Sequence, residues 1–166
     1  MGKVNTTRFG EITVQDTDIL AMPEGLFGFE TSNKFFIVDP EDNTLILWLQ
    51  SVENPNIAFP IIEPQIFHPM YEKKFITSDL VSLEMSEITE AKYYAIITIP
   101  KQLTDMTVNL KAPILINQKT KVARQVVLQD SKLPVDHAVY KQLKAYIINN
   151  SAEGNEVPKD QLAVTL

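Results

Sequence analysis

Cysteine is absent from the 166 residues, so no disulfide, thiolate metal site or cysteine nucleophile is available. Histidine is almost absent as well. His68 and His137 lie far apart, and neither falls in an HExxH or paired-histidine spacing, so no metal centre is expected. No apolar run approaches the length that crosses a bilayer, and the start, MGKVNTTRFGEITV, lacks the continuous apolar stretch of a signal peptide. These absences lead to the expectation of a cytoplasmic protein without membrane attachment. Glycine is held to five residues, and no Walker loop, Rossmann fingerprint or GxSxG elbow is written among them. Basic charge is also short: the formal net charge is -6, which repels phosphate backbones and disfavours direct nucleic-acid binding.

What is present suits one soluble domain, with 45% apolar and 22% charged residues in a length that is short for two domains. Short apolar runs rich in branched and aromatic residues dominate. FGEITV (9–14) alternates, and FFIV (35–38), LILWLQ (45–50) and IAFPII (57–62) are each bounded by Asp, Asn, Pro or Ser, as buried strands are. KYYAIITI (92–99), MTVNL (106–110), PILIN (113–117) and VARQVVL (122–128) complete the set. In MTVNL, Met106, Val108 and Leu110 are expected inward and Thr107 and Asn109 outward. Trp48, the only tryptophan, alternates within its run as a core residue does. DPEDN (39–43) carries turn chemistry, Pro fixing one torsion and Asp and Asn offering local side-chain bonds. Many short strands at close spacing predict a mainly β fold, a small antiparallel β-barrel-like domain over 1–135.

Helix is sparse. SDLVSLEM (78–85) reads as a short helix with Ser78 as N-cap and Asp79 in its first turn. Glu84, Glu87 and Glu90, spaced at three, would then share a solvated helix face. DHAVYKQLKAYII is expected to form a C-terminal helix over 136–148, capped by Asp136, with Val139, Leu143 and either Tyr146 or Ile147 on its apolar face. The polar stretch 149–166 reads as a mobile tail.

PEGLFGFE (23–30) places two of the scarce glycines three apart. No lysine and no helix follow, so phosphate cradling is not expected. Gly25 and Gly28 instead suit a turn between ILAMP and FFIV, with torsions that a side chain disfavours. Leu26 and Phe29 are then expected to point into the barrel end and Phe27 outward.

The ordered series RFGEI, ILAMPEGLFGFE, WLQSVENPNIAFPIIEP, FHPMYE, TIPKQLTDMTVNLKAPILIN and ARQVVL, spanning about Arg8 to Gln129, resembles the FliW family of bacterial flagellar assembly factors. The resemblance implies a small, mostly β, barrel-like protein that is not an enzyme and carries no cofactor. It implies two cytoplasmic protein partners, flagellin and the translational regulator CsrA. In the scheme that the family implies, the two compete. Accumulating flagellin captures the factor and frees CsrA to block flagellin translation, and the factor opposes RNA binding by CsrA from a site away from the RNA. The stretch 136–166 extends past the recognised pattern. A flavin-binding split barrel is the alternative class; for its phosphates only Lys73 with Lys74, or Lys119 to Arg124, offer basic clusters.

Candidate binding residues lie in the turn LQSVENPNIAFP, where polar side chains stand beside an aromatic: Gln50, Ser51, Glu53, Asn54, Asn56 and Phe59. Asn109 and Lys111 join them as outward residues of VNLKAP. Reversing charge at Glu53 together with Asn54→Lys is expected to weaken CsrA binding and to leave the melting temperature nearly unchanged.

Overall fold

The computed structural model describes residues 2–150; the expected tail lies, from residue 151 on, outside the described residues. The chain opens with a hairpin, β1 (Gly2–Thr6) and β2 (Gly10–Val14), which among the described residues pair only with each other. Nothing in GKVNT announces β1 as a strand; it forms because β2 supplies a partner. Next come β3 (Leu20–Ala21), β4 (Lys34–Val38), β5 (Leu47–Ser51) and β6 (Ala58–Ile62). A run of 3-10 turns and the short helix α1 (Thr77–Val81) follow. The chain then forms β7 (Ala91–Thr98), β8 (Thr107–Val108), β9 (Ile114–Asn117), β10 (Ala123–Gln125), β11 (His137–Ala138) and α2 (Tyr140–Asn150). The fold is mainly β and antiparallel, as read from the sequence. Among the described residues no helix is long and apolar enough to cross a membrane.

The main sheet runs β10-β9-β7-β6-β5-β4-β3, with β8 on β7 and β11 on β8. Its two ends curl together and meet at a single parallel bridge, Ala21 to Val122, where the Ala21 N–H donates to the Lys121 carbonyl at 2.9 Å. The barrel is thus held shut at one point and not by a ladder. Pro60 also leaves its mark. The Ser51 N–H bond to the Ile57 carbonyl turns odd residues of β6 towards β5, so Pro60, lacking an N–H, faces β7. Pairing between β6 and β7 accordingly begins only at Ile61.

Two cores explain why the strands read as apolar runs. Every strand of the curled path contributes to an inner core: Leu20, Phe35, Leu49, Ile61, Tyr94, Ile114 and Ala123 among others. The alternate residues, including Trp48, Ile62, Ala95, Ile97 and Leu115, form a larger core on the outer face, covered by the 64–90 segment and α2. A sheet buried on both faces needs apolar residues at both parities. Tyr71, from FHPMYE, sits wholly inside the outer core and donates its hydroxyl to the Leu110 carbonyl at 2.5 Å. Burial raises the pKa of this phenol, so it remains a donor. Arg8 and Phe9, at the tip of the N-terminal hairpin, cover Trp48, with the guanidinium 4.0 Å from the indole centroid.

Both helices differ from expectation. Helix α1 ends at Val81, and Ser78 lies inside it; the exposed backbone at its start is met instead by Asp79, whose Oδ2 accepts the Ile76 N–H at 2.9 Å. Its end is a left-handed turn at Glu84 (φ 60°), with the Met85 N–H bonded back to the Leu80 carbonyl. Glu84, Glu87 and Glu90 therefore share no helix face, and Glu90 accepts the Ser86 and Glu87 N–H groups in a 3-10 turn. At the other helix, Asp136 is no cap. His137 and Ala138 pair with β8, because that edge offers backbone partners, and helix begins only at Tyr140. Val139, Leu143 and Ile147 are the buried stripe, and Tyr146 is exposed.

Candidate protein-binding surface

The β5–β6 turn is built from within. Gln50 is fully buried, and its amide hydrogens are shared among four carbonyls: Ser51 at 3.1 Å, Ile57 at 3.2 Å, Pro55 at 3.4 Å and Asn54 at 3.5 Å. Ser51 is buried too, and its Oγ accepts the N–H groups of Glu53 and Asn54 at 3.1 and 3.0 Å. Both residues therefore set the shape of the turn and show no side chain to solvent. Glu53, Asn54, Pro55 and Asn56 are its exposed members. Asn54 Oδ1 accepts the Asn56 N–H, and the Thr7 hydroxyl from the N-terminal hairpin donates to Asn56 Oδ1.

Glu53 ties this turn to its neighbour. Its Oε1 accepts the N–H groups of Asn33 at 2.8 Å and Lys34 at 3.1 Å, at the start of β4. Asn33 in turn donates its side-chain amide to the carbonyls of Met22, Pro23 and Glu30, closing the 23–30 loop. A charge reversal at Glu53 therefore removes an acceptor of two backbone donors. A loss of stability is therefore expected on charge reversal here, in place of the unchanged melting temperature expected from the sequence.

Within the 23–30 loop Gly25 and Gly28 both adopt left-handed torsions, φ 64° and 87°. At Gly25 a Cβ would also stand 2.6 Å from the Glu30 Cα and the Phe29 carbonyl oxygen. This close return of the chain buries Leu26, and the Phe27 N–H is held by Gln125 Oε1 at 3.0 Å. Phe27 is 58% exposed, as the turn reading suggested. Phe29 departs from it: it is 40% exposed and stands edge-on to half-buried Phe59, ring centroids 4.9 Å apart, because Leu26 already fills the barrel end. The signal that could have placed Phe29 outside is the second glycine, which turns the chain once more before it. The outcome is a fixed aromatic surface on the loop, made of exposed Phe27 and of Phe29 standing against Phe59, with exposed Glu24 and Glu30 beside them in the chain.

The remaining sequence-selected residues are engaged elsewhere. Asn109 Oδ1 accepts the N–H groups of Lys111 and Ala112 and shapes the bend between β8 and β9. Lys111 is half-buried and donates its Nζ to the Asp130 carbonyl at 2.9 Å. The same Asp130 pairs with Lys74 at 2.7 Å, and this hydrogen bond, with the Lys132 N–H, holds its carboxyl below the usual range. Arg124 pairs with Glu24 at 2.7 Å. Of the basic residues that a cofactor phosphate would require, Lys74 and Arg124 are thus paired with carboxylates, at two separate places. His68 lies against the Pro69 carbonyl, and His137 contacts Gln142.

A sequence profile described as FliW protein matches residues 3–139, a longer span than the motifs alone had marked. The chain is 38% identical over 149 residues to the flagellar assembly factor FliW of Bdellovibrio bacteriovorus, covering 90% of this chain and 85% of that one. It is 35% identical over 138 residues to the flagellar assembly factor FliW of Geotalea uraniireducens, covering 83% and 84%. Among solved structures, a crystal structure of the flagellar assembly factor FliW is similar with a TM-score of 0.75 and 31% identity, covering 82% of this chain and 96% of the other.

Proposed function

The chain belongs to the FliW family of flagellar assembly factors, and on that premise we propose that it works by binding two proteins, flagellin and the translational regulator CsrA. Flagellin that outruns its secretion takes the factor and releases CsrA to repress flagellin translation; when flagellin is scarce, the factor holds CsrA away from RNA. The observation that supports this reading best is the aromatic surface. Two phenylalanines stand in solvent on a loop fixed by glycine torsions and by Glu53, Asn33 and Gln125. Exposed aromatics on a rigid support are the usual anchors of protein recognition. The acidic residues around them, and the net charge of -6, complement a partner whose surface is basic enough to hold RNA. Competition between two ligands then follows from mass action and asks for no moving part in the factor.

The test is capture of purified flagellin and purified CsrA by the full chain, singly and in competition. Each is expected to be retained and each to displace the other, and Phe27→Ala with Phe29→Ala should weaken retention of at least one by roughly tenfold or more. Retention of neither partner overturns the reading, and unchanged retention by the double variant removes the aromatic surface from it.

A further inference from the structure

The edge of β4 is covered over only part of its length. Strand β3 is two residues long and β4 is five, so β3 covers only the first part of the edge beside it. Backbone parity shows what is left over. The Val52 N–H bonds to the Lys34 carbonyl at 2.9 Å, on the β5 side, and the Met22 N–H bonds to the Asn33 carbonyl at 2.7 Å, on the β3 side. Odd-numbered residues of β4 therefore direct their backbone groups towards β3. Phe35 meets Leu20 there, whereas Ile37 points past the end of β3, where no described strand pairs with it.

A cleft of about 410 Å³ lies at this place. One wall is Ile12, Thr13 and Val14 of β2, and the other is Phe36, Ile37 and Val38 of β4. Consecutive residues of a strand point to opposite faces, so a wall made of three in a row is a strand edge and not a face. Among the described residues β2 pairs with β1 alone, so that its second edge carries no described strand. A residue in a sheet fills roughly 160 Å³ from strand spacing, sheet spacing and rise, so the cleft takes about three extended residues. Its rim carries Asp18, Asp39 and Lys121, an acidic excess. Asp18 and Asp39 each hold a nearby backbone N–H, of Gln15 and Glu41, through one oxygen.

We propose that this slot receives a short extended segment of a partner protein, bearing a lysine or arginine between β-branched residues, which pairs with the backbone of Ile37 as an added strand. Pairing to an open edge supplies the affinity, and the acidic rim selects the basic side chain. The slot is separate from the aromatic surface. Lys34, beside Glu53, and Asp39, at the slot, mark opposite ends of β4, about 16 Å apart at the usual strand rise. The inference stands whether or not flagellin or CsrA is the partner.

The experiment uses the isotope-labelled full chain and the peptide acetyl-Lys-Val-Lys-Val-Lys-Val-amide. Saturable shifts of the Ile37 and Asp39 amide signals are expected, with hydrogen exchange at Ile37 slowed roughly tenfold or more. The effect should vanish when alternate peptide bonds are N-methylated, and it should weaken about tenfold in Asp18→Asn with Asp39→Asn, which keeps the local acceptors. Equal binding of a Glu-Val peptide, or no saturable shift, overturns the proposal. So does an Ile37 amide already protected without peptide: independence from protein concentration then assigns the slot to this chain itself, and dependence on it to a second copy.

Discussion

The two loops at the aromatic end of the barrel solve one problem, a tight reversal of the chain, with different means. In the β5–β6 turn, side chains do it: Gln50 and Ser51 fold inward and bind the carbonyls and N–H groups of the turn. In the 23–30 loop the backbone does it, through left-handed torsions at Gly25 and Gly28 and a close chain return at Gly25. A turn fixed by its side chains has few left for a partner, whereas a turn fixed by glycine leaves its side chains free, and here two of them are phenylalanines in solvent. The difference teaches that polar composition in a loop is a poor guide to its accessibility.

Gly25→Ala tests the backbone half most severely. The left-handed torsion alone costs an alanine about 1–2 kcal/mol, and displacement of two backbone atoms 2.6 Å away adds to it. A total of about 3 kcal/mol should lower the midpoint of thermal unfolding, followed by circular dichroism, by roughly 6–12 °C. Gly28→Ala shares the torsion but meets nothing within 4 Å, so it should show only the first part. Equal losses at the two glycines would sink the close-approach explanation.

Gln50→Leu tests the side-chain half. Most of its carbonyl acceptors keep a second donor: Thr7 N–H on Pro55, Ser51 N–H on Ile57, Ile57 N–H on Asn54. Its own Oε1 is buried with no partner among the described residues, so leucine gives up no acceptor bond. The loss should therefore be about 1–2 kcal/mol, read from the urea midpoint, and smaller than at Gly25. A loss above that of Gly25→Ala would reverse the comparison.

Glu53 joins the two loops, and its substitutions separate charge from acceptor. Glu53→Gln keeps an oxygen for the Asn33 and Lys34 N–H groups and should change stability by less than about 0.5 kcal/mol. Glu53→Lys loses it and should cost about 1 kcal/mol, since the exposed donors can turn to water. Matching melting curves for the two variants would show that the bond between the loops carries no stability.

Much of the fold was legible in the residues, and the reasons it stops are physical. The strands were readable because a sheet buried on both faces leaves long apolar runs, as in LILWLQ and PILIN. The start of α2 was not, since His137 and Ala138 follow the edge of β8 against their helical spacing. β1 was not, because GKVNT has little apolar pattern and depends on β2. For the candidate surface, Phe27 and the turn torsions followed from the placement of two glycines. That Gln50 and Ser51 would be wholly buried did not follow, because burial of a polar side chain depends on carbonyls brought near by the turn itself. Phe29 escaped for a related reason: whether it or Leu26 fills the barrel end depends on three-dimensional packing.

The smallest expected effect on stability carries the sharpest test of the comparison. Phe27 is 58% exposed, and what holds it is its backbone N–H bond to Gln125, which alanine retains. Phe27→Ala should therefore leave the thermal midpoint within about 1 °C, a change below roughly 0.5 kcal/mol. Phe29→Ala, which loses an edge contact with Phe59, should cost about 0.5–1.5 kcal/mol. If the loop is an anchor, partner capture must fall by roughly tenfold or more in Phe27→Ala despite its native stability, and by less in Asn54→Ala on the polar turn. Partner capture that tracked melting temperature across the three variants would mean that the aromatic loop contributes to folding alone.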